Sequence, residues 1–130
     1  GIAMGTRPLD VQRLIADAAP LDTAPLADAA WGHLHLRVTD LERSERFYRQ
    51  TLGVEVTQRS YPGARFLAAD NYHHHVAMNT WGAPRRPQPT SALGLAEATF
   101  ATNDEAEPRT LRDPDGIALR RTPLAVAVTR

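Results

Sequence analysis

The apolar and polar positions of this chain change period several times, and each change marks an element. Between 8 and 19, Val11, Leu14, Ile15 and Ala18 recur at helical spacing behind Pro8, which suits a first helical turn, and Pro20 ends the run. A Pro/Ala/Asp linker fills 20 to 30. From 33 to 38 the period becomes two, with His33, His35 and Arg37 alternating with Leu34, Leu36 and Val38. That predicts a strand with one apolar face and two histidines on the other. Asp40 then caps a predicted helix running to about Leu52, with Gly53 at the C′ position. Leu41, Phe47, Tyr48 and Leu52 supply its buried side. Glu42 with Arg46 and Glu45 with Arg49 are i,i+4 pairs expected on its solvent side.

Further on, 54 to 60 is a predicted strand, Tyr61-Pro62-Gly63 a turn, 64 to 69 a third strand, Asp70-Asn71 a turn and 72 to 80 a fourth strand. Residues 31–81 thus read as one βαβββ module. Residues 82–90 carry Pro84, Pro87, Pro89 and Arg85-Arg86, and read as a connecting loop that could cover a cavity. A fifth strand is expected near 93 to 101. A second strand–helix–strand unit would need roughly 30 residues. Only Thr102 to Pro108 separate the fifth strand from Leu111-Arg112-Asp113-Pro114-Asp115-Gly116, a tight turn before an apolar strand at 117 to 122. Leu124, Val126 and Val128 alternate as if for one more strand. A second module over 91–130 is therefore abbreviated, without its helix and one strand. Such a module leaves sheet edges and an apolar face uncovered, so a homodimer that covers or completes it is expected.

Composition narrows the class. At 130 residues the chain suits one domain with a real core, here 31–130, preceded by a helix and linker over 4–30. Gly1-Ile2-Ala3 ahead of Met4 reads as a cloning remnant. A formal net charge of zero gives no basis for nucleic-acid or anionic-membrane binding. No apolar run approaches the roughly 18 residues of a membrane span, and no signal-peptide pattern opens the chain, so a cytoplasmic protein is expected. Cysteine is absent, which excludes disulfides and thiolate metal sites. All 15 basic residues are arginine, and with abundant alanine and proline this suggests a high-GC bacterial gene.

The Gly32-His33-Leu34-His35 strand, its capped helix with Gly53, the His73-His74-His75 segment and the Asp113–Gly116 turn occur in an order that resembles the vicinal oxygen chelate superfamily. That group holds glyoxalase I, the bleomycin-resistance proteins and the extradiol dioxygenases. The pattern is most like the C-terminal half of catechol 2,3-dioxygenase-like proteins. The resemblance implies an α+β fold, a βαβββ module with a truncated second one, and a curved mixed sheet around a concave cavity. It also implies that His33 is a first metal ligand and that His74 is an acid/base near substrate. Strand parity reads differently: His73, His75, Ala77 and Asn79 share the polar face, while His74 sides with Val76 and Met78, unless a bulge intervenes. Glu97 stands where that branch places a second histidine ligand, and a carboxylate can bind a divalent metal or act as a base. The branch's third ligand, a glutamate, falls on Ala118 when matched on apolar residues, or on Arg120 without a gap; neither binds metal. Its tyrosine falls on Thr110. Ring cleavage is therefore not expected, and the cofactor is either none or a single divalent metal held weakly by His33 and Glu97.

The candidate catalytic residues are His33, His74, His75 and Glu97. His35, His73, Asn79 and Trp81 are candidates for substrate binding, with Trp31 and Tyr72 as further apolar walls. A histidine and a carboxylate facing one cavity can move protons without metal. The implied function is an enzyme turned away from ring cleavage, acting by isomerisation, dehydration, cyclisation or hydrolysis on an aromatic or polyketide-like molecule in bacterial secondary metabolism. A bleomycin-resistance-like binding protein, a metal-dependent extradiol-type enzyme and a decayed dimer partner are the alternatives. Such binders use an acidic, aromatic-rich groove, and a neutral chain with 6% aromatic residues favours the enzyme.

Overall fold

The computed structural model describes residues 8–18, 31–82, 86, 89, 91, 93–103 and 107–124. Along the chain the elements are α1 (Val11–Asp17), β1 (Leu34–Arg37), α2 (Leu41–Leu52), β2 (Glu55–Gln58), β3 (Ala64–Ala68), β4 (Val76–Asn79), β5 (Glu97–Thr102), β6 (Arg109–Arg112) and β7 (Ala118–Pro123). The linker, most of the 82–90 loop and the alternation at Val126 and Val128 lie outside the described residues.

Local chemistry explains the helices. Asp40 has extended backbone and its carboxylate accepts from the Arg43 N–H at 2.8 Å, which satisfies one of the open donors at the start of α2. Gly53 closes the other end at φ 67°, donating its N–H to the Arg49 carbonyl at 3.0 Å. α1 is capped in the same way by Asp10, but it is shorter than its periodicity predicts and buries none of its residues. Its apolar stripe, Val11, Leu14 and Ile15, stays exposed.

Of the two solvent-side pairs predicted on α2, Glu45 with Arg49 is present, though Glu45 is not on the solvent side, and Glu42 with Arg46 is corrected. Glu45 is only 7% exposed and faces the sheet. It accepts from Arg59 Nη2 at 2.7 Å and Arg65 Nε at 3.2 Å, while Arg49 approaches at 3.9 Å. Glu42 pairs with Arg65 Nη2 at 3.0 Å rather than with Arg46. Helix periodicity names only neighbours on the same helix; here Arg59, just past β2, and Arg65 of β3 give Glu45 its shorter contacts, because a nearly buried carboxylate requires paired donors.

The first sheet runs in the order β1-β4-β3-β2. β1 and β4 are parallel, with Leu34 opposite Val76 and His35 opposite Ala77, and β3 is antiparallel to both β4 and β2. The second sheet is β5-β7-β6, again with a parallel pair beside an antiparallel one. It thus repeats the β1-β4-β3 arrangement and has no counterpart of α2 or β2 among the described residues. β6 was missed by the sequence pattern because Arg109-Thr110-Leu111-Arg112 is mostly polar and mostly exposed.

One apolar core joins the parts. Leu36, Val38, Leu41, Tyr48, Val54, Leu67, Val76, Met78 and Leu119 are buried together, and Ala98, Phe100 and Ile117 pack against them. A polar clamp sits beside it. The buried Asp113 carboxylate accepts from Tyr48 Oη at 2.9 Å and from the backbone N–H groups of Asp115 and Ile117 at 2.9 and 2.8 Å. Asp115 accepts from Thr39 Oγ1 at 2.6 Å and from the Thr39 N–H, and Arg43 donates to the Pro114 carbonyl at 3.2 Å. The Asp-Pro-Asp-Gly turn therefore both starts β7 and fastens the second sheet to the N-terminal end of α2. Burial first, and Asp113 second, push the Tyr48 phenol far above its usual range, so it stays a donor.

Tyr48→Phe keeps the packing and removes one donor to a buried carboxylate. It is expected to lower unfolding free energy by about 1–3 kcal/mol, read from urea denaturation followed by circular dichroism. An unchanged midpoint would mean that this bond does not hold the two sheets together.

Candidate functional site

The pairing of β1 with β4 creates the site. Both strands run in the same direction, so their entering ends lie side by side, and the Leu34 N–H donates to the His75 carbonyl at 2.9 Å. His33 is the residue before β1, and His73, His74 and His75 are the residues before β4. The predicted strand over 72–80 is thereby corrected to Val76–Asn79, with the histidines in a bend ahead of it. The bend also settles parity. His74 turns to the side of Phe66 and His33, with ring centroids at 5.1 and 4.5 Å, instead of joining Val76 in the core.

His33, His73 and His74 form one cluster. The His33 ring lies 5.6 Å from His73, and His73 lies 4.3 Å from His74. Each offers a ring nitrogen within 4.8 Å of the other two. His33 is exposed, His73 half-buried and His74 8% exposed. The Nδ1 atom of His74 is buried and has no hydrogen-bond partner. Burial, then the neighbouring His33 and His73, lower the His74 pKa from 6.5 to about 4. His35 is also lowered, by burial and then by His33.

His75 has a different role. Its Nδ1 accepts from the Ala69 N–H at 3.2 Å, and its ring stacks on Tyr72 at 4.6 Å. Asn79 is buried, with Oδ1 accepting from the Trp81 N–H at 3.1 Å. It lines no part of the cavity described below. Trp81 donates Nε1–H to the Pro62 carbonyl at 2.9 Å and lies 5.8 Å from His35. That position demands Gly63: its φ is 68°, and a Cβ there would meet the indole at 3.1 Å. Phe66 and Tyr61 were not anticipated. Phe66 lies 6.1 Å from His35, and Tyr61 lies 6.2 Å from Phe66 and 5.8 Å from Trp81, which makes an aromatic surface beside the histidines. Strand register brings Phe66 here, since Phe66 pairs with Ala77 and Ala77 with His35, and register is not legible in the sequence.

A cavity of about 630 Å³ lies between the edge strands β1 and β5. His33, His35 and His75 line one side and Glu97 the other, with Leu34, Leu52, Val54 and Phe100 among its apolar walls and Trp31 at its margin. Glu97 is the exposed first residue of β5 and pairs directly with Ala118 on β7. A carboxylate at 118 would stand next to Glu97, whereas alanine offers no ligand atom. Arg120 is exposed on β7 beside Thr99 of β5, and Thr110 of β6 pairs with it on the other side.

A family model described as Glyoxalase/Bleomycin resistance protein/Dioxygenase superfamily matches residues 30–107. The chain belongs to that superfamily. It is 38% identical over 108 residues to a catechol-2,3-dioxygenase of Bacillus subtilis (strain 168). That match covers 80% of this chain and 38% of the relative, so the chain spans well under half of that protein's length. A solved structure from the mobile metagenome of V. Pseudocholerae superposes with a TM-score of 0.53 at 19% identity, covering 78% of this chain and 98% of its own. Lactoylglutathione lyase from Agrobacterium tumefaciens gives 0.50 at 16% identity, covering 75% and 95%. These two likenesses concern the fold alone. No helix among the described residues is long and apolar enough to cross a membrane.

Members of the superfamily often bind a divalent metal, and two donor sets can be compared here. The set spread over two sheets, His33 with Glu97, lacks its third ligand because Ala118 has none to give. The histidines 33, 73 and 74 supply three nitrogen donors, one of them on a ring with an orphaned buried nitrogen, and could hold such an ion.

The depressed His74 pKa has a consequence for stability. Its folded-state value lies below the unfolded value of 6.5, so the unfolded chain takes up the proton first as pH falls. The stabilising difference is present above pH 6.5 and is lost progressively toward pH 4. In chelator-treated protein, wild type is expected to lose more unfolding free energy than His74→Phe between pH 7 and 4.5. Equal slopes for the two proteins would show that His74 is not held neutral by its surroundings.

Proposed function

We propose that this protein is an enzyme that moves protons on an aromatic or polyketide-like small molecule, in a non-oxidative reaction such as isomerisation, dehydration or cyclisation. One observation carries the reading: a carboxylate from β5 and imidazoles from the β1 edge line a single cavity from opposite sides. The volume of about 630 Å³ suits a small organic ligand, and the apolar walls with few polar groups suit a largely apolar one. The similarity to a protein named catechol-2,3-dioxygenase supports an aromatic substrate class. Glu97 is assigned the role of general base, and His35 that of a neutral hydrogen-bonding partner that orients the substrate carbonyl or hydroxyl. The absence of a ligand atom at Ala118 argues against the two-sheet donor set that extradiol chemistry would use. A divalent ion held by histidines 33, 73 and 74 would supply Lewis-acid polarisation of a substrate oxygen when bound.

Proton transfer can be followed before the natural substrate is known. Protein is incubated in deuterated buffer with a panel of planar aromatic and β-dicarbonyl compounds, and exchange at acidic C–H positions is read by NMR. Glu97→Gln keeps the shape of the side chain and is expected to slow exchange by roughly 10²–10⁴-fold, while the circular dichroism spectrum is unchanged. Ligands that bind in the cavity without exchange or product in wild type would replace this reading with that of a binding protein. Oxygen uptake with catechols would replace it with ring cleavage.

A further inference from the structure

We propose that this chain carries a divalent-metal site made only of histidines, His33, His73 and His74, that belongs to the first sheet alone and requires neither Glu97 nor any other residue of β5–β7. The site lies where the chain enters two parallel neighbours. Leu34 and Val76 are register partners, so the residues just ahead of them converge without help from the second sheet. One ring nitrogen from each histidine falls within 4.8 Å of the other two. Three imidazoles around a tetrahedral ion, with metal–nitrogen bonds of about 2.1 Å, sit roughly 3.4 Å apart. His33 is exposed and His73 half-buried, so both rings have room to close the difference by rotation.

His74 supplies the second, independent observation. It is more than nine-tenths buried, and its Nδ1 has no hydrogen-bond partner. A buried polar atom left unpaired is unfavourable, and a bound ion is one partner that would satisfy it. The set contains no carboxylate, and Glu97 does not belong to it. Neutral nitrogen donors favour zinc, nickel or copper over magnesium and manganese, which prefer oxygen. Three ligands also leave a fourth position for water or a substrate oxygen. His33 lines the cavity as well as the cluster, so an ion bound here would stand at the cavity's edge.

Metal binding at this corner is separable from proton transfer at Glu97, and the test reads binding rather than turnover. Untagged protein is stripped with chelator, dialysed and titrated with Zn²⁺ by calorimetry, with Mg²⁺ as the contrasting ion. One Zn²⁺ per chain is expected, with a rise in thermal midpoint on addition and no heat from Mg²⁺. His33→Ala, His73→Ala and His74→Phe should each weaken Zn²⁺ binding by roughly tenfold or more, a loss that even outer-shell changes can reach. Glu97→Gln should bind as wild type does. His33 is exposed, so its truncation leaves the fold intact and keeps the test valid if His74→Phe unfolds. Failure to bind Zn²⁺ stoichiometrically would overturn the proposal, as would a loss in Glu97→Gln equal to that in His33→Ala.

Discussion

The Asp113 carboxylate, closed off from water and held by the Tyr48 hydroxyl and two backbone N–H groups, is the constraint on which the rest of the arrangement depends. It sits in the turn that begins β7, and Tyr48 sits in the middle of α2. Through this one group the helix of the first module positions the sheet of the second. Asp115 and Arg43 add bonds at the N-terminal end of α2, and Leu119 carries the same junction into the apolar core. A buried carboxylate is tolerated only with its donors in place. The clamp therefore fixes orientation as well as adding stability.

That junction explains where the cavity is. The second sheet hangs from α2 by its β6–β7 turn, and β5 is its far edge. The first sheet ends at β1. The two edges border one space without pairing, and side chains from both line it. β1 pairs only with β4, and β5 only with β7, so that space is bordered by two edge strands that do not pair with each other. Glu97 reaches the cavity from one edge, and His33 and His35 from the other.

The chemistry of the site follows from the same division. A donor set drawn from both sheets needs a ligand at each of three places, and Ala118, directly beside Glu97, leaves one place without a ligand atom. The parallel β1–β4 pair instead gathers three imidazoles within a single sheet. Burial, then the neighbouring histidines, keep His74 neutral into the weakly acidic range. The cavity is thus lined by a carboxylate from the second sheet and by His33, His35 and His75 from the first, and His33 alone also belongs to the histidine cluster.

Much of this was legible in the residues themselves. Asp40, Gly53 and the apolar spacing between them specify α2 almost to the residue, because caps and periodicity are local. The alternation at 33–38 placed Leu36 and Val38 in the core and His33 and His35 outside it. The short interval between the fifth strand and the Asp-Pro-Asp-Gly turn left no room for a helix, and none is present there among the described residues. What the sequence did not carry was anything requiring a partner from far along the chain. Glu45 read as a solvent-side residue because its two nearest arginines, 59 and 65, lie outside the helix. Asp113 read only as part of a turn because Tyr48 lies 65 residues away. His74 had two readings, an acid/base by resemblance and a core-facing residue by strand parity, and the bend before β4 turns it toward His33. Periodicity and capping depend on neighbours within a turn or two, so the sequence by itself determined the elements and their faces. Register, the pairing of buried charge and the meeting of His33 with His73 and His74 depend on which strands lie side by side, and only the tertiary structure decided that.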